Sequence, residues 1–301
     1  MRVSTGTLHQ TTLQHLRASQ ARLARLQSQI ASGRRIERPS DDAAGTIQGM
    51  GARGALRARA QWSSNLVLAR QHAQATETSL GAAADMVAEA RLLATRADAS
   101  QSAEAMAALA RQVDGLLAGL LDEANRAQDG ARLFGGSDTR GAPVEALRDE
   151  AGRMTGVTAA SRAPEGRLLR QVGEGTLLGV NTSAEEAFGP GLELLTHLIA
   201  LRDALEAGDA AAAAELQPLL DRDLERVAVA QAVGGVLARR LDHLEERLAQ
   251  EEMRLEAARS QFEDLDIAQA VMDYQEEQTV LEAALTLSGR LLELTLARYL
   301  Q

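Results

Sequence analysis

A glycine-rich stretch is the first feature of this sequence whose spacing could do chemistry. Residues 49–54 read Gly-Met-Gly-Ala-Arg-Gly and match the G-x-G-x-x-G pattern of loops that bind dinucleotide phosphates. Such a loop follows a buried strand and begins a βαβ unit. Residues 31–48 contain no run of Val and Ile that could form this strand, and helical composition continues after residue 54. We therefore expect close packing or a helix kink here, and no nucleotide site.

A Ser-Asp-Asp cluster at residues 40–42 is the second candidate. Its hydroxyl and carboxylates could belong to a catalytic site, but no neighbouring residue could act as the base or as an oxyanion donor. The proline before the cluster disfavours helix, so residues 33–39 are predicted to be a connector. Ser40 is then the predicted N-cap of the next helix, with Asp41 and Asp42 in its first turn.

Composition excludes most other catalytic and metal-binding chemistry. The sequence contains neither Cys nor Lys, so all 32 basic residues are Arg. Disulfides, thiolate chemistry, Schiff bases and the lysine of phosphate-binding loops are therefore excluded. The five histidines, at positions 9, 15, 72, 197 and 243, do not have the spacing of metal ligands. We expect no enzyme activity, with no catalytic residue, no cofactor and no metal.

The charge and hydropathy of the chain narrow the possible partners. The formal net charge is −10, and no segment combines an arginine-rich face with aromatic residues, so we expect no nucleic-acid binding. No run of about 18 apolar residues could span a membrane. The first 25 residues lack the apolar region of a signal peptide. We therefore expect no membrane partner and no cleaved signal peptide.

Apolar residues at heptad spacing mark helices at both ends of the chain. In residues 8–30, Leu16, Leu23 and Ile30 recur every seven residues. In residues 237–301, one apolar stripe steps by four and three residues and a second continues in heptads: Leu241, Leu244, Leu248, Leu255, Ala258, Phe262 and Leu265, then Ile267, Val271, Tyr274, Leu281, Leu285 and Leu292. Val280, Ala284, Leu287, Leu291 and Leu294 mark another face. The heptad spacing is that of a coiled-coil seam, and a helix that is apolar on two faces needs more than one partner.

The middle of the chain combines helices with a glycine-rich segment. A helix is predicted over about residues 55–97, and a second one follows the turn at residues 98–100 and ends at about residue 127. A third is predicted over residues 192–207, before a turn at residues 208–209. Residues 130–191 hold 12 of the 25 glycines and three of the five prolines, around short apolar runs. This composition predicts short strands.

The fold class predicted is mainly α, in which both termini form a long antiparallel helical bundle or coiled coil with a small β-rich inserted domain. Three domains are predicted. Residues 1–43 with 255–301 form a terminal coiled-coil assembly region that is disordered in the free monomer. Residues 44–135 with 191–254 form a helical bundle, and residues 136–190 form a β-rich variable insert.

Short motifs along the chain resemble those of the flagellin superfamily. Gly33, Arg35, Pro39, Ser40, Asp41 and Asp42 follow the heptad helix and resemble the S-G-x-R-[IV]…P-S-D-D-x-A signature of that superfamily. Residues 124–136 resemble its turn into the variable domain, and residues 266–270, 281–285 and 296–300 resemble its C-terminal motifs. The resemblance therefore covers both ends of the chain and part of its middle.

This resemblance implies a non-enzymatic structural adapter of the bacterial flagellum that joins a hook-side associated protein to the filament. Export through the flagellar type III apparatus, without a cleaved signal peptide, is implied as well. The implied partners are hook-associated protein 1, flagellin, further copies of the chain in a ring, and an export chaperone at the C-terminal helix. The predicted assembly residues lie on the apolar stripes of the two ends: Leu16, Leu23, Ile30, Leu281, Leu285, Leu292 and Leu296.

Two alternatives remain open at this point. The chain could be a flagellin, the filament subunit itself, because residues 43–45 after the double Asp read Ala-Ala-Gly as in flagellins. A cytoplasmic coiled-coil scaffold would explain the heptads, but it would explain neither the β-rich insert nor the signature that begins at Gly33.

Overall fold

The computed structural model describes the backbone of residues 5–161 and 166–299, and the side chains of residues 10–161 and 166–289. In that part of the chain the α-helices are α1 (Thr5–Ser32), α2 (Ala43–Arg96), α3 (Ala103–Ala124), α4 (Ala184–Phe188), α5 (Glu193–Glu206), α6 (Ala210–Glu263) and α7 (Ile267–Tyr299). The strands are β1 (Ala127–Gln128), β2 (Ala131–Arg132), β3 (Val144–Arg148), β4 (Met154–Ala159), β5 (Leu169–Gly173) and β6 (Thr176–Gly179). The predicted mainly helical fold is confirmed. No helix in the described ranges has the length and apolar character needed to cross a membrane.

The chain divides into two compact units. The terminal unit consists of Met1–Ala58 and Gln250–Gln301, and the central unit is Arg59–Ala249. The division falls within α2 and α6, farther from the chain ends than the predicted N-terminal boundary at residue 43. The predicted disorder of the two ends in the free monomer stays a prediction.

Helices α3 and α5 build much of the core of the central unit. Ser102 caps α3, because its hydroxyl accepts a hydrogen bond of 3.2 Å from the backbone N–H of Ala105. The buried residues of α3 then follow at helical spacing: Met106, Ala110, Val113, Leu117, Leu120 and Ala124. Gly119 lets α2 approach, since a Cβ at this position would lie 3.2 Å from the sulfur of Met86. Most of the first half of α5 is buried in the same core.

Three antiparallel hairpins, β1–β2, β3–β4 and β5–β6, account for the glycine-rich segment. The β3–β4 hairpin packs on the helices, because its residues Val144 and Met154 are buried in the same core as α3 and α5. Phe134 and Phe188 meet edge to face, with ring centres 5.1 Å apart and both side chains fully buried. The structure thus places residues 136–190 in the central unit, and their independence as a domain stays a prediction.

Two helix boundaries differ from those expected from the sequence. Helix α2 runs from Ala43 to Arg96 through the glycine-rich stretch, so the helix predicted to follow Ser40 and the helix predicted from about residue 55 are one helix. The expectation that Ser40 is the N-cap is wrong, because the carboxylate of Asp42 accepts a hydrogen bond of 2.8 Å from the N–H of Gly45. The carbonyl of Asp42 also accepts the N–H of Thr46 at 2.9 Å. Asp42 therefore has the capping role, two residues later than expected.

Candidate assembly surface

Helices α1 and α7 of the terminal unit pack together as a coiled coil. Their less exposed residues recur in steps of four and three, which is the spacing of a coiled-coil seam. On α1 they include Thr12, Leu16, Ser19, Leu23, Leu26 and Ile30, and on α7 they are Ala270, Tyr274, Glu277, Leu281, Ala284 and Ser288. The end of α1 lies near the beginning of α7, and Ser19 contacts Glu277 farther along both helices. The pair is therefore antiparallel.

A polar layer interrupts the apolar seam. The hydroxyl of Ser19 donates to Oε1 of Glu277 at 2.6 Å, and Nη2 of Arg22 donates to the same oxygen at 2.8 Å. The hydrogen bond from Arg22, followed by that from Ser19, lowers the pKa of the Glu277 carboxyl. A charged group in a coiled-coil seam needs its partners at one level, so this layer favours a single register of α1 against α7.

The structure divides the predicted assembly residues into two groups. Leu16, Leu23, Ile30 and Leu281 are half-buried in the seam between α1 and α7, so their contacts lie within the chain. Leu285 is 50% exposed. The side chains of Leu292 and Leu296 lie outside the described residues. Leu281 and Leu285 therefore do not have the same environment, although both lie on the predicted apolar stripe.

Apolar side chains remain exposed on both sides of the α7 seam. At 100° per residue, Ile267, Val271 and Leu285 lie on one side of it, and Val280 and Leu287 lie on the other. Within the described part of the terminal unit, α1 covers the seam and leaves these two flanks open to solvent. A helix with two exposed apolar flanks is suited to contact further helices.

A backbone junction joins the connector after α1 to the break between α6 and α7. Gly33 ends α1 with a φ of +67°, the left-handed conformation that glycine adopts without strain. Its carbonyl accepts the N–H of Leu265 at 3.0 Å, and the N–H of Arg35 donates to the carbonyl of Glu263 at 2.8 Å. These bonds lie at the break between α6 and α7, so the two apolar stripes near the C-terminus belong to two separate helices. In the sequence the heptad spacing continues from one stripe to the other across this break.

Arg35 connects this junction to the beginning of α2. Its Nη2 donates to the carbonyl of Phe262 at 2.8 Å and to Oδ2 of Asp42 at 3.0 Å. The N–H of Gly45 and, after it, the guanidinium of Arg35 hold the pKa of Asp42 below its ordinary value. Asp41 accepts the N–H of Arg38 at 2.9 Å. The signature residues at 33, 35, 41 and 42 thus have a structural task, whereas Pro39 and Ser40 lie exposed in the connector.

The glycines of α2 permit close approach, and they do not form a phosphate-binding loop. A Cβ on Gly49 would lie 2.3 Å from Oε1 of Glu263, whose carboxylate pairs with Nε of Arg53 at 2.8 Å. A Cβ on Gly45 would lie 2.5 Å from the carboxylate of Asp42. The expectation of close packing is therefore correct for Gly49. Nothing in the structure explains the other two glycines of the motif, which have open space around them.

The two ends of the chain match known family regions. The bacterial flagellin N-terminal helical region matches residues 3–139, and the bacterial flagellin C-terminal helical region matches residues 218–300. The chain belongs to the flagellin family. It is a structural protein and a component of the extracellular flagellum, not an enzyme. The resemblance that the sequence motifs indicated is confirmed.

Solved structures of hook-associated proteins have the same fold as this flagellin-family chain. A flagellar hook-associated protein from Vibrio parahaemolyticus is 17% identical, with a TM-score of 0.65 over 74% of this chain and 100% of that one. Flagellar hook-associated protein 3 from Legionella pneumophila is 13% identical, with a TM-score of 0.60 over 69% and 97%. The flagellar junction protein FlgL from the same organism is 13% identical, with a TM-score of 0.57 over 72% and 100%. No curated protein matches the chain by sequence.

Proposed function

We propose that this flagellin-family chain is the junction subunit that joins the hook to the filament. The observation that carries the proposal is the α1–α7 pair, whose seam is closed within the chain while both flanks of α7 expose apolar side chains. Burial of each such side chain against a neighbour would contribute roughly 1.5–3 kcal/mol. The fold shared with structures described as hook-associated and junction proteins supports the position at the hook.

The partners in this proposal follow from that position. Hook-associated protein 1 lies on the hook side, flagellin lies on the filament side, and copies of the chain form a ring between them. An export chaperone covers the C-terminal helix before secretion, since exposed apolar flanks would otherwise favour aggregation. Export proceeds through the flagellar type III apparatus.

A deletion strain tests the junction role directly. Without this chain, cells should make hooks that lack filaments, and flagellin should accumulate in the medium because export continues without a site of attachment. Expression of the chain from a plasmid should restore filaments. If cells that lack the chain keep their filaments, the proposal is wrong. If filaments are lost and no flagellin is found in the medium, the chain is the filament subunit.

A further inference from the structure

Opposite charges are concentrated in the two segments that form the terminal unit. Residues 1–58 contain nine arginines and three acidic residues, a net charge of +6. Residues 250–301 contain eleven acidic residues and four arginines, a net charge of −7. This asymmetry is much larger than the overall charge of −10 over 301 residues would suggest. It indicates that electrostatic attraction has a role in this part of the molecule.

Ion pairs within the chain use only part of this charge. Arg22 pairs with Glu277, Arg53 pairs with Glu263, and Arg35 pairs with Asp42. Arg259 also pairs with Glu256. Among the described residues of the terminal unit, six other arginines have no acidic partner, and Arg34, Arg38 and Arg57 are three of them. Unpaired guanidinium groups that lie close together repel one another, so they favour an anionic partner.

These three arginines line one open groove of about 470 Å³ beside the connector between α1 and α2. Met50 also lines the groove and is 63% exposed. Of the two acidic residues there, Glu263 pairs with Arg53, and Glu37 accepts hydrogen bonds from the hydroxyls of two α1 serines at 2.5 and 3.2 Å. The groove therefore combines an excess of positive charge with exposed apolar surface.

A surface with the opposite properties lies on α6 of the same unit. Glu252, Met253 and Glu256 line a shallow depression near the end of that helix. Met253 is 70% exposed. Glu256 pairs with Arg259 of the same helix at 2.8 Å, and Glu252 has no basic partner among the described side chains. We call this surface the acidic patch. Acidic groups around a methionine complement a groove in which arginines surround a methionine.

We propose that the arginine groove of one copy binds the acidic patch of the next copy. The contact joins two different surfaces, so it is heterologous, and repeated it produces a ring or a helical array. The choice of a second copy as the partner rests on the proposed function, in which copies of this chain lie side by side. Charge complementarity between surfaces of one chain makes that copy a partner of suitable chemistry.

Charge exchange between the two surfaces tests the contact with full-length protein. The groove variant is Arg38→Glu with Arg57→Glu, and the patch variant is Glu252→Arg with Glu256→Arg. Sedimentation velocity of the wild-type chain should show association that weakens as salt is raised, since screening acts over about 10 Å at 0.1 M salt. Each variant alone should associate roughly tenfold or more weakly than wild type, because like charges would then meet.

An equimolar mixture of the two variants should recover association, because each groove then meets a patch of opposite charge. The matched control is Arg239→Glu with Arg240→Glu on exposed residues of α6, which should associate like wild type. Circular dichroism establishes that all variants keep their helices. The proposal is overturned if the wild-type chain shows no salt-sensitive association, if the groove variant associates like wild type, or if the mixture associates no more than its components. None of these outcomes bears on the deletion phenotype, which tests the junction role separately.

Discussion

At the scale of single residues, short side chains decide which groups can meet in this molecule. Gly49 is buried in α2 because the carboxylate of Glu263 occupies the space of a side chain, whereas Gly51 in the same motif faces open space. The sequence motif does not distinguish the two glycines. Their difference depends on a residue more than two hundred positions away in the chain, so the sequence could not predict it.

Replacement of these two glycines by alanine should therefore have opposite effects. Gly51→Ala should stabilise the protein by about 0.5–1 kcal/mol, since alanine is the better helix former and has room for its methyl group. Gly49→Ala should destabilise it by roughly 1–2 kcal/mol, because the methyl group displaces the Glu263 carboxylate. Denaturant unfolding followed by circular dichroism measures both. Equal effects of the two substitutions would show that Glu263 moves aside without cost.

A buried histidine should make the stability of the central unit depend on pH. His72 lies in α2, its Nε2 has no hydrogen-bond partner among the described residues, and burial lowers its pKa below the ordinary value of 6.5, with Arg170 adding to that effect. The folded state therefore favours the neutral ring, and the unfolded chain binds the proton first. The stability that depends on a neutral His72 is fully present above pH 6.5, and it is lost as the pH falls below that value.

Melting curves between about pH 7.5 and pH 5.5 test this dependence. As the pH is lowered over that range, the melting temperature of the wild-type protein should fall. The melting temperature of the His72→Gln protein should fall less, because glutamine does not titrate. His243→Gln is the matched control, since His243 is an exposed histidine on α6 and should leave the wild-type slope unchanged. A wild-type slope in the His72→Gln protein would contradict the assignment.

At the scale of elements, the heptad pattern predicted the helices well and their ends less well. Leu16, Leu23 and Ile30 indicated α1 and its packed side correctly. The break between α6 and α7 was not predicted, because the apolar stripe runs through Leu265 into Ile267 without interruption. Backbone hydrogen bonds from a segment distant in sequence decide that break, and no local pattern records them.

Two leucines one turn apart on α7 allow folding and assembly to be separated. Leu285→Glu changes an exposed flank, so the free protein should keep its helical signal while filament attachment is lost. Leu281→Glu places a charge in the seam with α1 and should cost roughly 2 kcal/mol or more in the free protein. Circular dichroism and thermal unfolding measure the folding of the free protein, and electron microscopy of complemented cells measures the attachment of filaments. If Leu285→Glu unfolds the free protein, the flank is part of the intramolecular core.

At the scale of the whole molecule, residues 136–190 contribute side chains to the core of the helical bundle. Composition predicts a β-rich insert here, and its independence as a domain stays a prediction. In the structure, Val144, Met154 and Phe188 fill the core beside α3 and α5. Arg153 of the β3–β4 hairpin also pairs with Asp203 of α5 at 2.8 Å. Composition alone could not show that these side chains point into the helical core.

Replacement of residues 136–190 by a short Gly-Ser linker should therefore destabilise the central unit. The loss of three buried apolar side chains alone amounts to roughly 1.5–3 kcal/mol each. Thermal unfolding should show a lower midpoint and a broader transition than in wild type. A Gly-Ser insertion after Glu150, in the exposed turn between β3 and β4, is the control and should change the midpoint little. An unchanged midpoint in the replacement variant would establish the segment as an independent domain.

The junction beside Gly33 and Arg35 also has a mechanical consequence. A break in a single long helix is a flexible point, but here two breaks lie side by side and backbone hydrogen bonds join them in both directions. Neither segment can slide along the other unless both bonds rupture together, and the guanidinium of Arg35 adds a third attachment at the carbonyl of Phe262. Tension applied to α7 therefore passes into the connector ahead of α2 as well as into α6. A joint of this kind resists shear, so force on α7 is carried by two segments of the polypeptide, α6 and the connector after α1.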